Sequence, residues 1–119
     1  MTKVLIIDDE KNILNSVSMY LEGHGYEVEI SDNGFDGIKM AKENQPNVIL
    51  LDLVLPDIDG YMVCKTLKEA TNINKIPIII MSAKCQKEDI DKAMDMGAIE
   101  YITKPFEPQK LIKIIKKHI

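Results

Sequence analysis

The chain has 119 residues, 45% of them hydrophobic, which is the size of one domain, since domains cluster at roughly 100–150 residues. Its 15 basic residues are all lysine and face 19 acids, for a net charge of −4; with no arginine fork and no tryptophan platform, the composition argues against direct nucleic-acid binding by this chain alone. Apolar runs no longer than Val48–Leu51 fall far short of the ~18 residues of a membrane span, no apolar signal region follows Met1, and Cys64 and Cys85 are too few for a disulfide framework, so a cytoplasmic protein without membrane contact is expected.

Five short β-rich runs alternate with five helical patterns. Lys3–Ile7 is near-continuous apolar and reads as a strand covered on both faces. Leu14, Val17 and Leu21 then recur at helical spacing, and Gly23 and Gly25 stop that helix. Glu27–Ser31 alternates polar and apolar residues, which suits an edge strand with one wetter face. Phe35, Ile38 and Ala41 form the second helical stripe, stopped by Pro46. Val48–Leu53 is again apolar throughout its first four positions. Val63 and Leu67 mark the third helix, for which Asp59 is placed as a cap. Ile78–Ser82 is the fourth strand; Ile90, Ala93 and Met94 mark the fourth helix, ended by Gly97. Glu100–Thr103 is the fifth strand. Leu111, Ile112, Ile115 and Ile119 mark the last helix, with Pro108 suited to its first turn and Lys113, Lys116 and Lys117 on a solvated face that suits the helix dipole. Strict β-α alternation predicts an α/β domain in three layers, a parallel sheet with helices on both faces and right-handed crossovers. No internal repeat, low-complexity tract or linker interrupts it.

Open α/β sheets bind ligands outside the carboxyl ends of their strands. Those ends carry Asp8-Asp9-Glu10, Asp52, Ser82-Ala83 and Thr103-Lys104-Pro105. Each alone has a plain reading, as a helix cap, a solvated turn or an exposed lysine. Together they bring carboxylates, a hydroxyl and an ammonium to one edge. Carboxylates that converge repel one another unless a cation lies between them. An oxygen-only set suits a hard cation, with Mg²⁺ first. An ammonium opposite it leaves room for a group rich in negative oxygens, such as phosphoryl.

At this point the residues resemble the receiver domain of two-component response regulators, in its chemotaxis-regulator-like form, over essentially the whole chain. The matching pieces are Leu5–Glu10, the run Ile49–Gly60 around Asp52, Pro77–Ala83, and Gly97–Phe106. The resemblance implies a doubly wound (βα)5 domain over residues 1–119, its five parallel strands in the flavodoxin-like order 2-1-3-4-5. It implies Asp52 as phosphoacceptor, Asp9 as a direct metal ligand, Asp8 acting largely through water, and the backbone carbonyl of Val54 as a further ligand. The metal so implied is Mg²⁺, with Mn²⁺ as an alternative. It implies Lys104 as the holder of the phosphoryl group, Ser82 as the switch hydroxyl and Tyr101 as the aromatic that turns inward on activation. The Lys104–Pro105 bond is expected to be cis, aiming Lys104 back at the pocket.

A carboxylate oxygen that attacks phosphorus becomes an acyl phosphate, and such transfer needs positioning and charge neutralisation more than acid–base chemistry. The function expected is therefore a signalling switch rather than an enzyme acting on outside substrates. It takes a phosphoryl group from a sensor histidine kinase or phosphotransfer protein, loses it slowly by itself, and shifts population between two packings. Output would pass through the face of the fourth helix, fifth strand and fifth helix, where Ile90, Met94 and Ile99 are apolar candidates, to a separate protein or a fused effector domain. A monomer, with dimerisation on phosphorylation left open, is expected.

Other residues carry plainer readings. Cys64 is read as packing, and Cys85 lacks a resolving partner. His24 in a turn and His118 at a frayed end have no metal-ligand company. Met19, Met40, Met62, Met81, Met94 and Met96 read as packing rather than a cofactor box. Asp57-Ile58-Asp59-Gly60 has the look of a calcium loop, but Lys68 stands at its twelfth position where Glu is needed. A flavodoxin-type carrier would not place Asp8-Asp9-Glu10 against a flavin phosphate. An Asp-nucleophile phosphatase needs an acid–base carboxylate where Val54 stands. A degenerate docking-only receiver would not keep Asp8, Asp9, Asp52, Ser82 and Lys104 together.

Overall fold

The computed structural model describes residues 1–119. In chain order the elements are β1 (Lys3–Ile7), α1 (Lys11–Gly23), β2 (Glu27–Ser31), α2 (Gly34–Asn44), β3 (Val48–Leu51), α3 (Gly60–Glu69), β4 (Ile78–Ser82), α4 (Lys87–Asp95), β5 (Glu100–Thr103) and α5 (Pro108–Lys117). All strand pairs are parallel and the sheet order is β2-β1-β3-β4-β5, the flavodoxin-like arrangement expected.

Successive strand residues point to opposite faces, and the register aligns them into two cores. Ile6, Leu50 and Ile79 stand side by side and face α1 and α5, where Leu14, Val17, Leu21, Leu111, Ile112 and Ile115 cover them. Leu5, Ile49 and Ile78 align on the other face with Ile7, Leu51 and Ile80, under Ala41 of α2, Val63, Cys64 and Leu67 of α3 and Ala93 of α4. The three central strands are buried along nearly their whole length, which is why they read as unbroken apolar runs.

Five local expectations change. β3 ends at Leu51, not Leu53: Leu53 turns away, and its carbonyl accepts the Gly60 N–H at 3.0 Å. Phe35 is 61% exposed; the buried stripe of α2 is Gly34, Gly37 and Ala41. A Cβ at Gly37 would lie 2.6 Å from Ile7 Cδ1, so α2 sits too close to β1 for a larger side chain. Ile119 lies beyond the end of α5 and is exposed, and Gly23 is the last residue of α1 rather than a position after it. β2 is an edge strand, but its alternation is blurred, since Ile30 is exposed and Glu29 half-buried. The capping signals hold. Asp59 accepts the Tyr61 N–H, Pro108 opens α5, and Gly97, at φ +110°, follows α4 in the left-handed region that favours glycine.

Candidate functional site

The sheet's hydrogen bonding continues one residue past the strands and fixes the backbone of the residues at its carboxyl edge. The Asp8 N–H donates to Ser31 O at 3.0 Å, Asp52 N–H to Ile7 O at 2.9 Å, and Lys104 N–H to Ser82 O at 2.8 Å. Asp8, Asp52, Ser82 and Lys104 are thus set by the rigid part of the fold rather than by loops. The Lys104–Pro105 peptide is cis.

The Lys104 ammonium donates to Asp8 Oδ2 at 2.7 Å and to Asp52 Oδ2 at 3.0 Å, and lies 3.6 Å from Glu10 Oε1. Asp8 is fully buried and Asp52 is 4% exposed. The other oxygens are held by backbone: Asp8 Oδ1 accepts the Glu10 N–H at 2.9 Å and Asp52 Oδ1 the Val54 N–H at 3.3 Å. Burial pushes the Asp8 carboxyl up, against the opposing pull of Lys104 and the Glu10 N–H. Burial works against the Lys104 charge too, but the hydrogen bonds to Asp8 and Asp52 outweigh it and lift Lys104 above the ordinary lysine value.

Charge counting tests whether a cation fits. Ligand oxygens of Asp8, Glu10 and Asp52 lie within 4.8 Å of one another, and one ammonium stands against those three carboxylates. An all-oxygen set with excess negative charge, two of its carboxylates buried and Glu10 exposed, is the environment of a hard divalent cation. Among the acids expected here, the structure brings Asp8 and Asp52 together. It leaves Asp9 exposed outside the group, and Glu10, named at this edge in the sequence but given no role there, completes it. Glu10 carried a signal, since it closes the acidic run after β1. Val54 is 55% exposed at the mouth of the site.

Ser82 is fully buried, and its hydroxyl accepts the Lys84 N–H at 3.2 Å. Tyr101 is half-buried, which raises its hydroxyl's pKa, with the charges of Asp89 and Asp52 adding to the effect. Tyr61, unremarked in the sequence, is 5% exposed. Its ring lies under the ammonium of Lys92 at 4.2 Å and that of Lys84 at 5.4 Å, and its hydroxyl faces Asp89. Cys64 is buried, and burial pushes its thiol up to about 11, as befits packing. Met19, Met62 and Met94 are exposed rather than packed. His118, expected at a frayed end, pairs instead with Glu100, at 2.9 Å.

The profile of the response regulator receiver domain matches residues 4–116. The DNA-binding dual master transcriptional regulator RpaA of Synechocystis sp. is 37% identical over 98% of this chain, and the chain spans 48% of its length. Chemotaxis protein CheY4 of Vibrio cholerae superposes with TM-score 0.94 at 28% identity, covering 100% of this chain and 99% of that one. The receiver domain of the sensor histidine kinase PA1611 of Pseudomonas aeruginosa, solved with magnesium in its active-site cleft, superposes with TM-score 0.91 at 25% identity, covering 98% and 96% of the two chains.

Proposed function

The chain belongs to the response regulator receiver family, and from that premise we propose that Asp52 is the phosphoacceptor of a Mg²⁺-dependent switch spanning residues 1–119. Receiver domains exchange signals with histidine kinases and output effectors, so the donor proposed is a phosphohistidine on such a kinase or on a phosphotransfer protein. The observation that carries the reading is the Lys104 ammonium, bonded to both Asp8 and Asp52 beside a third carboxylate.

An Asp52 oxygen forms the new bond to phosphorus while the phosphorus–nitrogen bond of the donor breaks, leaving the donor imidazole. Asp8, Asp52 and the Val54 carbonyl would hold the cation, with Asp9 or Glu10 completing the set from the loop after β1. The cation would neutralise the oxygens of the incoming group. Lys104 exchanges its carboxylate partners for those oxygens, placing its charge where charge accumulates. The Ser82 hydroxyl then donates to the new phosphoryl group, drawing in the loop after β4 that Lys84 and Tyr101 hold. Through that loop the signal reaches α4, β5 and α5, where Met94 and Ile99 are each 42% exposed. This face would meet the output partner or effector, or a second copy on phosphorylation. Cytoplasmic placement goes with this reading; no helix is long and apolar enough to cross a membrane.

The test is labelling by acetyl phosphate with and without Mg²⁺. Wild type should label only with the metal, and Asp52→Asn should not label. Normal labelling of Asp52→Asn would move the acceptor elsewhere and overturn the assignment.

A further inference from the structure

The loop from Asp52 to Asp59 carries Val54 and must keep its backbone still for that residue to serve the site. At its base it is closed sterically. The Gly60 N–H reaches Leu53 O at 3.0 Å, and a Cβ at Gly60 would fall on Leu53 Cα and 2.5 Å from the Asp52 carbonyl oxygen. At its tip it is held by a side chain. Asp57 Oδ1 accepts the Gly34 N–H at 2.8 Å and Asp57 Oδ2 accepts the Phe35 N–H at 2.9 Å, across more than twenty positions of chain. The same Oδ1 accepts the Ile58 N–H at 3.0 Å. Beneath this fork Ile58 packs against Gly34, where no Cβ would fit.

α2 already has its own cap. Asn33 Oδ1 accepts the Asp36 N–H at 2.9 Å and Asn33 O accepts the Gly37 N–H at 3.2 Å. A helix start leaves four N–H groups to satisfy. The Asn33 side chain takes that of Asp36, Ser31 Oγ accepts that of Asn33 at 3.4 Å, and the remaining two, of Gly34 and Phe35, are taken from outside by Asp57. Water would serve the exposed Phe35 amide as well. What the carboxylate adds is a charge-assisted fork that ties the loop to an element fixed on the sheet.

We propose that Asp57 is a positioning residue for the metal site: by clamping the loop tip to α2 it presets the Val54 backbone for cation binding. The proposal rests on the functional reading above, in which the Val54 carbonyl is a ligand. Because coupling between two sites is reciprocal, cation binding must in turn tighten the first turn of α2. Groups that orient a metal's direct ligands typically contribute roughly 10–100-fold in affinity.

The experiment titrates Mg²⁺ into wild type, Asp57→Ala and Asp57→Asn by calorimetry, follows amide exchange of Gly34 and Phe35 with and without Mg²⁺, and measures acetyl phosphate labelling at saturating Mg²⁺. Asp57→Ala should bind Mg²⁺ about tenfold more weakly. Its labelling at saturating metal should be unchanged, and the Mg²⁺-dependent protection of Gly34 and Phe35 expected in wild type should vanish. Asp57→Asn, which keeps one acceptor oxygen, should fall between. A clamp that only stabilised the fold would move the melting midpoint and leave the metal affinity alone. Equal Mg²⁺ affinity in wild type and both variants overturns this inference alone. A wild type that takes up no Mg²⁺ overturns the functional reading and the inference with it.

Discussion

The hydroxyl of Tyr101 donates to the backbone carbonyl of Lys84 at 2.7 Å, and the N–H of that same Lys84 donates to Ser82. The loop after β4 is therefore held on one residue by two side chains from neighbouring strands. Burial keeps the Tyr101 phenol protonated, so the donor is present at any ordinary pH. Tyr101→Phe removes a bond worth about 1 kcal/mol. Amide exchange across residues 82–86 of the unphosphorylated variant should quicken several-fold, while β1 and β3 stay protected. Unchanged exchange in that loop would show that the bond does not restrain it.

Cation binding should be visible as stability. Asp8, Glu10 and Asp52 crowd one ammonium, and a ligand that binds only the folded chain stabilises it by mass action. At Mg²⁺ ten times its dissociation constant the gain is about 1.4 kcal/mol. That is roughly 5–10 °C in the melting midpoint of a domain this size. Asp8→Asn should lose most of this shift in differential scanning calorimetry. A full shift in Asp8→Asn would place the cation away from Asp8.

The C-terminal turn titrates in a fixed direction. A hydrogen bond from His118, then that of Lys117, holds the Glu100 carboxyl below its usual value, against a smaller effect of burial. The folded chain thus binds this proton more weakly than the unfolded one. The ionised contact stabilises the fold above the unfolded glutamate value, and the contribution disappears as pH falls from there through the folded value. Urea unfolding of wild type and Glu100→Gln should differ at about pH 6 and converge at about pH 3. A difference that persists at the lower pH would mean the contact does not depend on the carboxylate charge.

Lifetime of the phosphorylated form should depend on Val54 and Lys84. Hydrolysis needs a water in line with the bond between Asp52 and phosphorus, placed by a side chain that can bond it. Val54, exposed at the mouth, offers no hydrogen bond, and Lys84 offers donors only. The Lys84 ammonium rests over Tyr61 at 5.4 Å. Slow self-dephosphorylation is the expected outcome, and a Val54→Asn, Lys84→Glu double variant should decay about tenfold faster with Mg²⁺ present. Equal or slower decay would show that these positions do not control the water.

Most of the architecture was legible from periodicity, because four of the five strands have the bounds that their apolar runs predict. The misses share a cause. Hydrophobicity weights size and so favours Phe35 on the buried stripe, whereas the close approach of β1 selects Gly37 and that of Ile58 and Val63 selects Gly34. Leu53 reads as part of β3 because composition cannot see a chain reversal set by the Gly60 backbone. At the site, Asp8, Asp52, Ser82 and Lys104 announced themselves as polar residues ending apolar strands. Asp57, Tyr61 and the partner of His118 did not, since each depends on a contact between segments distant in sequence.

Lys104 lies 96 positions from Asp8 and 52 from Asp52, and in the sheet β5 is separated from β3 by β4 and from β1 by both β3 and β4. Contacts of such high sequence separation cost the most loop entropy and form late. An Asp52 carboxylate on a sheet that still lacks β5 therefore has Asp8 beside it but not its ammonium. If Asp52 is the acceptor proposed above, competence to take a phosphoryl group would arrive only with the final strand. Labelling by a small phosphodonor would then serve as a clock for the last step of folding, read out as chemistry rather than as shape.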